Sequence, residues 1–301
     1  MTAPYPPLEL VVRVRPDVLE FTDPIAAYEQ AGAQTKQTLL RLLPDDWSFD
    51  GKRVLDFGCG AGRTLRHFLP EAERAEIWGA DIDKPSVDWI NQNLSPPLQA
   101  WRSPSGPPLG LEHGSFDLIY SISVFTHLDV MASLWLLELG RLLKPDGILI
   151  ATYYGRWNSE YLAGEPWVED RIGRNVLRHT MPWDHGGPVV LMSDWWVREH
   201  WGRAFDILHL EPQVDNMTWA VMRKRNVDLS EDDIDRPSDD PREYVAVKHN
   251  LHQVRRELEE QQALYEGMAD QVRREHEETL SWRVTRPLRA IGRSRRGRNG
   301  G

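Results

Sequence analysis

A chain of 301 residues with 46 acidic side chains against 36 Lys and Arg carries a formal net charge of −10. Such an excess of carboxylates argues against a surface for nucleic acid, whose phosphates are held by clustered cations, so no nucleic-acid partner is expected. A lone cysteine, Cys59, excludes an intrachain disulfide, and no apolar run is long enough to span a bilayer.

The opening Met-Thr-Ala-Pro-Tyr-Pro-Pro lacks the basic and apolar order of a secretion signal, so a cytoplasmic chain is expected. Leu8 to Val14 reads as a short strand. Pro24 to Leu43 reads as a helix, with Ala26, Ala27, Leu39, Leu40 and Leu43 as its apolar positions. Strand and helix patterns then alternate. Strands are predicted at 53–57, 76–80, 98–101, 116–121 and 147–152, and helices at 62–70, 84–93 and 129–143. Lys144-Pro145-Asp146-Gly147 is read as a turn. Two further strands, Phe205–Leu210 and Thr218–Met222, are expected to flank a turn near Pro212. This alternation implies an α/β fold with a mostly parallel sheet and helices on both faces.

The most informative stretch is Arg53-Val54-Leu55-Asp56-Phe57-Gly58-Cys59-Gly60-Ala61-Gly62-Arg63. It reads as a buried strand ending in an acid, a glycine turn and a helix start, where a ligand can lie against bare backbone. A Walker loop would need Gly-Lys-Ser/Thr, which is absent. A dinucleotide fingerprint would need glycine where Arg63 stands. A carboxylate at Asp56 suits a cationic ligand and would repel a pyrophosphate. Asp81, about 20 residues on and at the end of the next strand, suits ribose hydroxyls. The ligand inferred is a cationic nucleoside.

These residues resemble the class I S-adenosylmethionine-dependent methyltransferases over roughly residues 45–225. The resemblance implies a Rossmann-like seven-stranded sheet whose last strand is antiparallel, with S-adenosylmethionine as cofactor. It implies that Asp56 faces the methionine end, with Gly58, Cys59, Gly60 and Gly62 permitting close approach. Asp81 would take the ribose hydroxyls, Ile82 would lie against adenine, and Ser121 would sit by the transferred methyl. His127 is the candidate general base, because imidazole is partly neutral near pH 7, and Tyr153 a candidate to orient the acceptor beside Tyr154. His179, Asp184 and His185 are rival bases, Asp83 and Ser193 are read as helix caps, and no metal is expected. The acid that many relatives place after the third strand is missing from Trp101-Arg102-Ser103-Pro104, where Trp101 stacking or a backbone carbonyl would substitute.

The expected organisation is an N-terminal arm and helix (1–44), a methyltransferase domain (45–225), an acidic solvated linker (226–243), a coiled coil (244–282) and a basic tail (283–301). Within the domain, 153–192 is expected to cover the substrate. The coiled coil rests on the steps of four and three along Val247, Leu251, Val254, Leu258, Gln261, Tyr265, Met268, Val272, Glu275, Thr279 and Trp282. It predicts a homo-oligomer through 245–282. Arginines beside Trp282, Val284 and Leu288 fit an anionic membrane face, which would place the chain peripherally at the inner membrane. Ser281-Trp282-Arg283-Val284-Thr285-Arg286-Pro287-Leu288-Arg289 resembles a stretch of bacterial surface-polysaccharide enzymes, which points toward O-methylation of a sugar or glycan-related hydroxyl. The alternative is a non-catalytic scaffold that keeps a nucleoside fold as a cap on a recruitment helix.

Overall fold

The computed structural model describes residues 3–179, 181–182 and 187–278. Residues up to Asn250 form one compact unit, and the chain from Leu251 onward forms a second. The basic tail, Asp184 and His185 lie outside the described residues.

The N-terminal arm is helical. Leu8–Val14 forms α1 instead of the expected strand, and Pro24–Leu42 forms α2. Strand preference at Val11 and Val12 loses because Val11 packs with Val18 and Tyr28 in a small apolar cluster of the arm, so tertiary burial overrides propensity. Asp23 caps α2 by accepting from the amides of Ile25 and Ala26.

β1 (Arg53–Phe57), β2 (Glu76–Asp81), α3 (Lys84–Asn93), β3 (Gln99–Arg102), β4 (Phe116–Ser121), α4 (Ala132–Leu142) and β5 (Leu143–Tyr153) follow the predicted alternation. The helix expected at 62–70 is instead a turn and a short 3-10 segment, Leu65–Phe68. Left-handed backbone at Gly58, Gly60 and Gly62 and the stop at Pro70 leave too little chain for α-helical turns. β5 starts at Leu143, so Lys144–Gly147 lies within the strand; the pairing with β4 shifts register between Phe116 and Leu118. A Cβ on Gly147 would lie 3.0 Å from the Lys144 carbonyl oxygen, so only glycine permits this bend.

The stretch 153–192 carries structure of its own. A π-helical turn spans Asn158–Ala163, α5 covers Glu169–Ile172, and β6 (Arg174–Leu177) pairs antiparallel with β7 (Val189–Met192) in a separate two-stranded sheet. After α6 (Asp194–His200), β8 (Phe205–Val214) and β9 (Met217–Lys224) form a hairpin. Its turn is Asp215-Asn216, both at positive φ, not Pro212. Pro212 sits in β8, an edge strand where its missing N–H is tolerated.

The main sheet has the order β3-β2-β1-β4-β5-β9-β8, with β9 antiparallel to both neighbours and the other pairs parallel. Alternate residues face two cores. Leu55, Ile119, Leu149 and Ala220 pack with α4 and α6 on one side. Val54, Leu118, Ile150 and Trp219 pack with α2 and α3 on the other. The chain leaves β1 toward β2 and β3, then returns to β4 on β1's far side. The ends of β1 and β4 therefore flank the crevice in which open α/β sheets bind ligands.

The acidic segment is not a solvated linker. Residues Glu231–Asp235 form α7, closed by reciprocal Ser230 and Asp233 capping bonds. Ile234 is fully buried, and Ser133 donates to Asp235. One apolar side chain between acids suffices to dock the segment, a signal that mean composition hides. The last helix, α8, spans Pro241–Glu278. In the first unit its Asn250 donates to the carbonyls of Ile172 and Arg174. In the second unit Leu251, Leu258, Tyr265, Met268 and Val272 are exposed along it.

Candidate active site

A cavity of about 520 Å³ opens at the carboxyl ends of β1, β2 and β4. That volume suits a nucleoside-sized ligand. Its floor is the turn after β1. The amides of Gly58 and Cys59 donate to the Ala80 carbonyl at 2.7 and 3.2 Å, stitching the turn to β2. Gly58 has φ +87°, and a Cβ there would strike Val124 Cγ2 at 2.1 Å, so the turn admits no other residue without displacement.

Asp81 is the hub of this floor. One carboxylate oxygen accepts from Gly60 N at 2.7 Å and the other from Asp83 N at 2.8 Å. Burial raises its pKa, while these two amides oppose the rise. Asp56, at the tip of β1, is buried, and its pKa is pushed up to about 8 by burial and by Asp81; Tyr120 and the Arg63 guanidinium pull the other way. Burial likewise pushes the Cys59 thiol up, so the site holds no reactive thiolate.

Asp56, Gly58, Cys59, Gly60, Asp81, Ile82 and His127 all line the cavity. Three expected residues do not. Gly62, at φ +80°, faces α3, where a Cβ would meet Ile90 and Leu94 at 3.4 to 3.6 Å. Ser121 is fully buried outside the cavity lining, with no partner for its hydroxyl. Tyr153 is fully buried and donates to Asp194 at 2.7 Å, which makes it a strut between β5 and α6 instead of an acceptor contact. Trp101 also stays outside the lining, whereas Ile82, Ser103, Pro104 and Ser105 belong to it.

His127 lines the same cavity. Its Nδ1 lies 2.8 Å from the Pro188 carbonyl oxygen, which can only accept, so Nδ1 carries the proton and Nε2 keeps its lone pair. Burial lowers its pKa, with the Pro188 carbonyl opposing. Tyr154 packs edge-on against the ring at 5.8 Å. The two-stranded sheet of 153–192 builds this wall, since Val190 N donates to the Thr126 carbonyl and Met192 N to that of Tyr154. Ser123 holds φ +59°, an αL geometry that costs a non-glycine residue strain, and its amide donates to Thr152 Oγ1 at 2.7 Å. His179 Nδ1 sits 3.2 Å from Asp129 Oδ2 at the same cavity, and Arg174 braces the Leu128 and Asp129 carbonyls. Asp83 caps α3 through the Ser86 amide and also pairs with Arg13 of α1 at 2.7 Å. Ser193 occupies the N-cap of α6, but its hydroxyl donates to the Gly173 carbonyl.

Arg13, Arg63, Asp129, Val130 and Met131 are cavity residues that sequence reasoning missed. For Arg63 the signal was available, since it directly follows the third glycine. The 129–131 loop carried none.

A family model described as "Methyltransferase domain" matches residues 27–211. The chain belongs to the methyltransferase-domain family. Among curated relatives, tRNA N(3)-methylcytidine methyltransferase trm140 of Schizosaccharomyces pombe is 32% identical over 136 residues, 41% of this chain and 43% of that protein. The ubiquinone biosynthesis O-methyltransferase of Maricaulis maris is 23% identical over 142 residues, 45% of this chain and 55% of that protein. The chain thus spans about half the length of these relatives. The solved PH0226 protein of Pyrococcus horikoshii OT3 superposes with a TM-score of 0.49 at 16% identity, covering 66% of this chain and 91% of that one.

S-adenosylmethionine is the cofactor of this methyltransferase, and the cavity passes the chemical test for it. A buried carboxyl at the tip of β1, a half-buried one at the tip of β2, a bare-backbone floor and an apolar side chain at Ile82 supply the kinds of group such a cofactor would need.

Proposed function

We propose that the chain is an O-methyltransferase that moves a methyl group from S-adenosylmethionine to the hydroxyl of a small polar acceptor, with sugars and glycan precursors as the first class to test. The observation that carries this reading is the His127–Pro188 bond, which leaves a neutral imidazole nitrogen for a proton in the cavity that holds Asp56 and Asp81. Bound cofactor supplies an electrophilic methyl on a sulfonium and its own leaving group. Asp81 and the Gly58–Gly60 backbone hold the nucleoside end, and Asp56 faces the cationic end. Val124, Leu128 and Pro188 shield the acceptor side from water. His127 Nε2 takes the hydroxyl proton as the acceptor oxygen is methylated.

The apolar mouth and the net charge of −10 favour a small acceptor over tRNA, the substrate class in the name of the Schizosaccharomyces relative. The O-methyltransferase relative is consistent with a hydroxyl acceptor. We further assign the exposed stripe of α8 to self-association through residues 245–282. No described helix is long and apolar enough to cross a membrane. A methyl-transfer screen over sugar nucleotides, lipid-linked glycans, small phenols and tRNA tests the acceptor. Turnover on a hydroxyl compound supports the reading, and turnover confined to tRNA overturns it.

A further inference from the structure

Three successive carbonyls at the start of β6 are claimed by distant parts of the chain. Asn250, in α8, donates through its side-chain amide to the carbonyls of Ile172 at 3.1 Å and Arg174 at 2.6 Å. The carbonyl between them, that of Gly173, accepts from the Ser193 amide at 2.8 Å. Gly173 holds φ +55°, and a Cβ there would lie 2.8 Å from that of Ala246, one turn before Asn250. Ala246 is buried, so helix and glycine meet with no room for a side chain between them. Two more contacts seat the opening turns of α8. Glu243 accepts from the buried His200 ring at 2.9 Å, and the Arg242 guanidinium lies 4.9 Å from the centre of the Trp195 ring.

The side chain of Arg174 carries that hold onward. It reaches the loop between β4 and α4, where it donates to the carbonyls of Leu128 and Asp129 and lies 3.8 Å from the Asp129 carboxylate. A guanidinium taken out of water needs acceptors, and Arg174 finds them in irregular backbone. That backbone directly follows His127, and His127, Leu128 and Asp129 all line the cavity. Asn250 and Arg174 thus join α8 to the cavity wall, although neither lines the cavity itself.

We propose that the opening turns of α8 brace the acceptor wall: Asn250 fixes the backbone of 172–174, and Arg174, acting from it, fixes the loop that carries His127. Both are positioning residues. The inference rests on the role given to His127 above, but its test reads the protein's own amides and needs no acceptor.

Hydrogen–deuterium exchange of the full chain, followed by mass spectrometry, is that test. In wild type the His127 amide is held by the Val124 carbonyl and the Ala132 amide by that of Asp129. Arg174→Met should raise exchange across 124–132 by at least ~10-fold, as expected for losing hydrogen bonds from a charged donor, and leave 53–93 at the wild-type rate. Asn250→Leu should raise exchange at 170–176 and 124–132, yet add nothing at 124–132 when Arg174→Met is already present. Arg174→Lys, which keeps a cationic donor, should recover part of the protection. Loosening the wall also lets water reach the imidazole, so the His127 titration followed by NMR should move up toward 6.5 in Arg174→Met. Unchanged exchange at 124–132 in either single variant, additive effects of the two changes there, or a rise spread evenly over the chain would overturn the assignment. Each of those results leaves the cofactor reading, which stands on Asp56 and Asp81, untouched.

Discussion

The His127 ring and the Pro188 carbonyl, 61 residues apart in the chain, meet at 2.8 Å across the cavity wall. That contact sets the tautomer of the proposed base. His127→Ala is expected to lower kcat by ~10²–10⁴-fold while cofactor affinity stays within about twofold of wild type. Burial lowers the imidazole pKa below 6.5, so the acidic limb of the rate profile should lie below that value, with full activity at neutral pH. The linkage for stability has the same sign. The unfolded imidazole binds a proton that the folded one resists, so this residue destabilises the fold as pH falls through 6.5. A pH–rate profile of wild type and equilibrium cofactor binding by His127→Ala check these outcomes.

Asp56 makes cofactor binding depend on pH in the opposite part of the scale. Its carboxyl titrates near 8 in the free protein, and a bound cation favours the ionised form. Below pH 8, binding must therefore release a proton, and affinity should rise with pH by at most about tenfold per unit before levelling off. Titrations in buffers of different ionisation enthalpy would count that proton. Asp56→Asn should abolish the pH dependence. The unliganded fold behaves conversely: between the unfolded value of 3.8 and about 8 it holds a proton that the unfolded chain does not, so this group's contribution to stability declines as pH rises through that window.

Gly32 ties α2 to the floor of the site. A Cβ there would lie 2.1 Å from the Arg63 carbonyl oxygen and 2.7 Å from His67 Nε2, so the helix and the turn cannot both stay in place. Gly32→Ala should destabilise the domain by about 1–3 kcal/mol and weaken cofactor binding. Gly202 has no atom within 4 Å of such a Cβ, and Gly202→Ala should stay within about 0.5 kcal/mol of wild type. Chemical denaturation of both variants compares them directly.

The self-association proposed for α8 would belong to the chain beyond the first unit. Leu251, Leu258, Tyr265, Met268 and Val272 expose apolar surface at heptad spacing. Light scattering should show an oligomer for the full chain and a monomer for residues 1–250. That boundary keeps Ile234, Ala246 and the Asn250 bonds that complete the first unit. Leu258→Glu in the full chain should also give a monomer.

The central parallel strands were legible because each is a mostly apolar run, broken in β1 and β4 by a single aspartate. Val54–Phe57 and Phe116–Tyr120 are buried on both faces of the sheet, and burial on both faces removes polar alternation. The floor of the site was legible for a related reason, since carboxylates and glycines at strand ends have few other uses. What failed was decided by contacts between distant segments. Leu8–Val14 became a helix through packing with Val18 and Tyr28, and the acidic segment was docked by Ile234 alone. Tyr153 was placed at the correct strand end, but its partner Asp194 lies 41 residues away, and nothing local announces that bond. Asp129 to Met131 entered the cavity because of where α4 begins, a boundary the sequence placed three residues too early.

The central claim is that Asp81 and the backbone beside it form a cofactor floor. Calorimetric titration with S-adenosylmethionine tests it most directly. Wild type should bind in the micromolar range. Asp81→Ala, which strips the Gly60 and Asp83 amides of their acceptor, should bind at least ~10-fold more weakly. Heat-free titrations of wild type with full-length, folded protein, or equal affinity in the variant, would contradict the account.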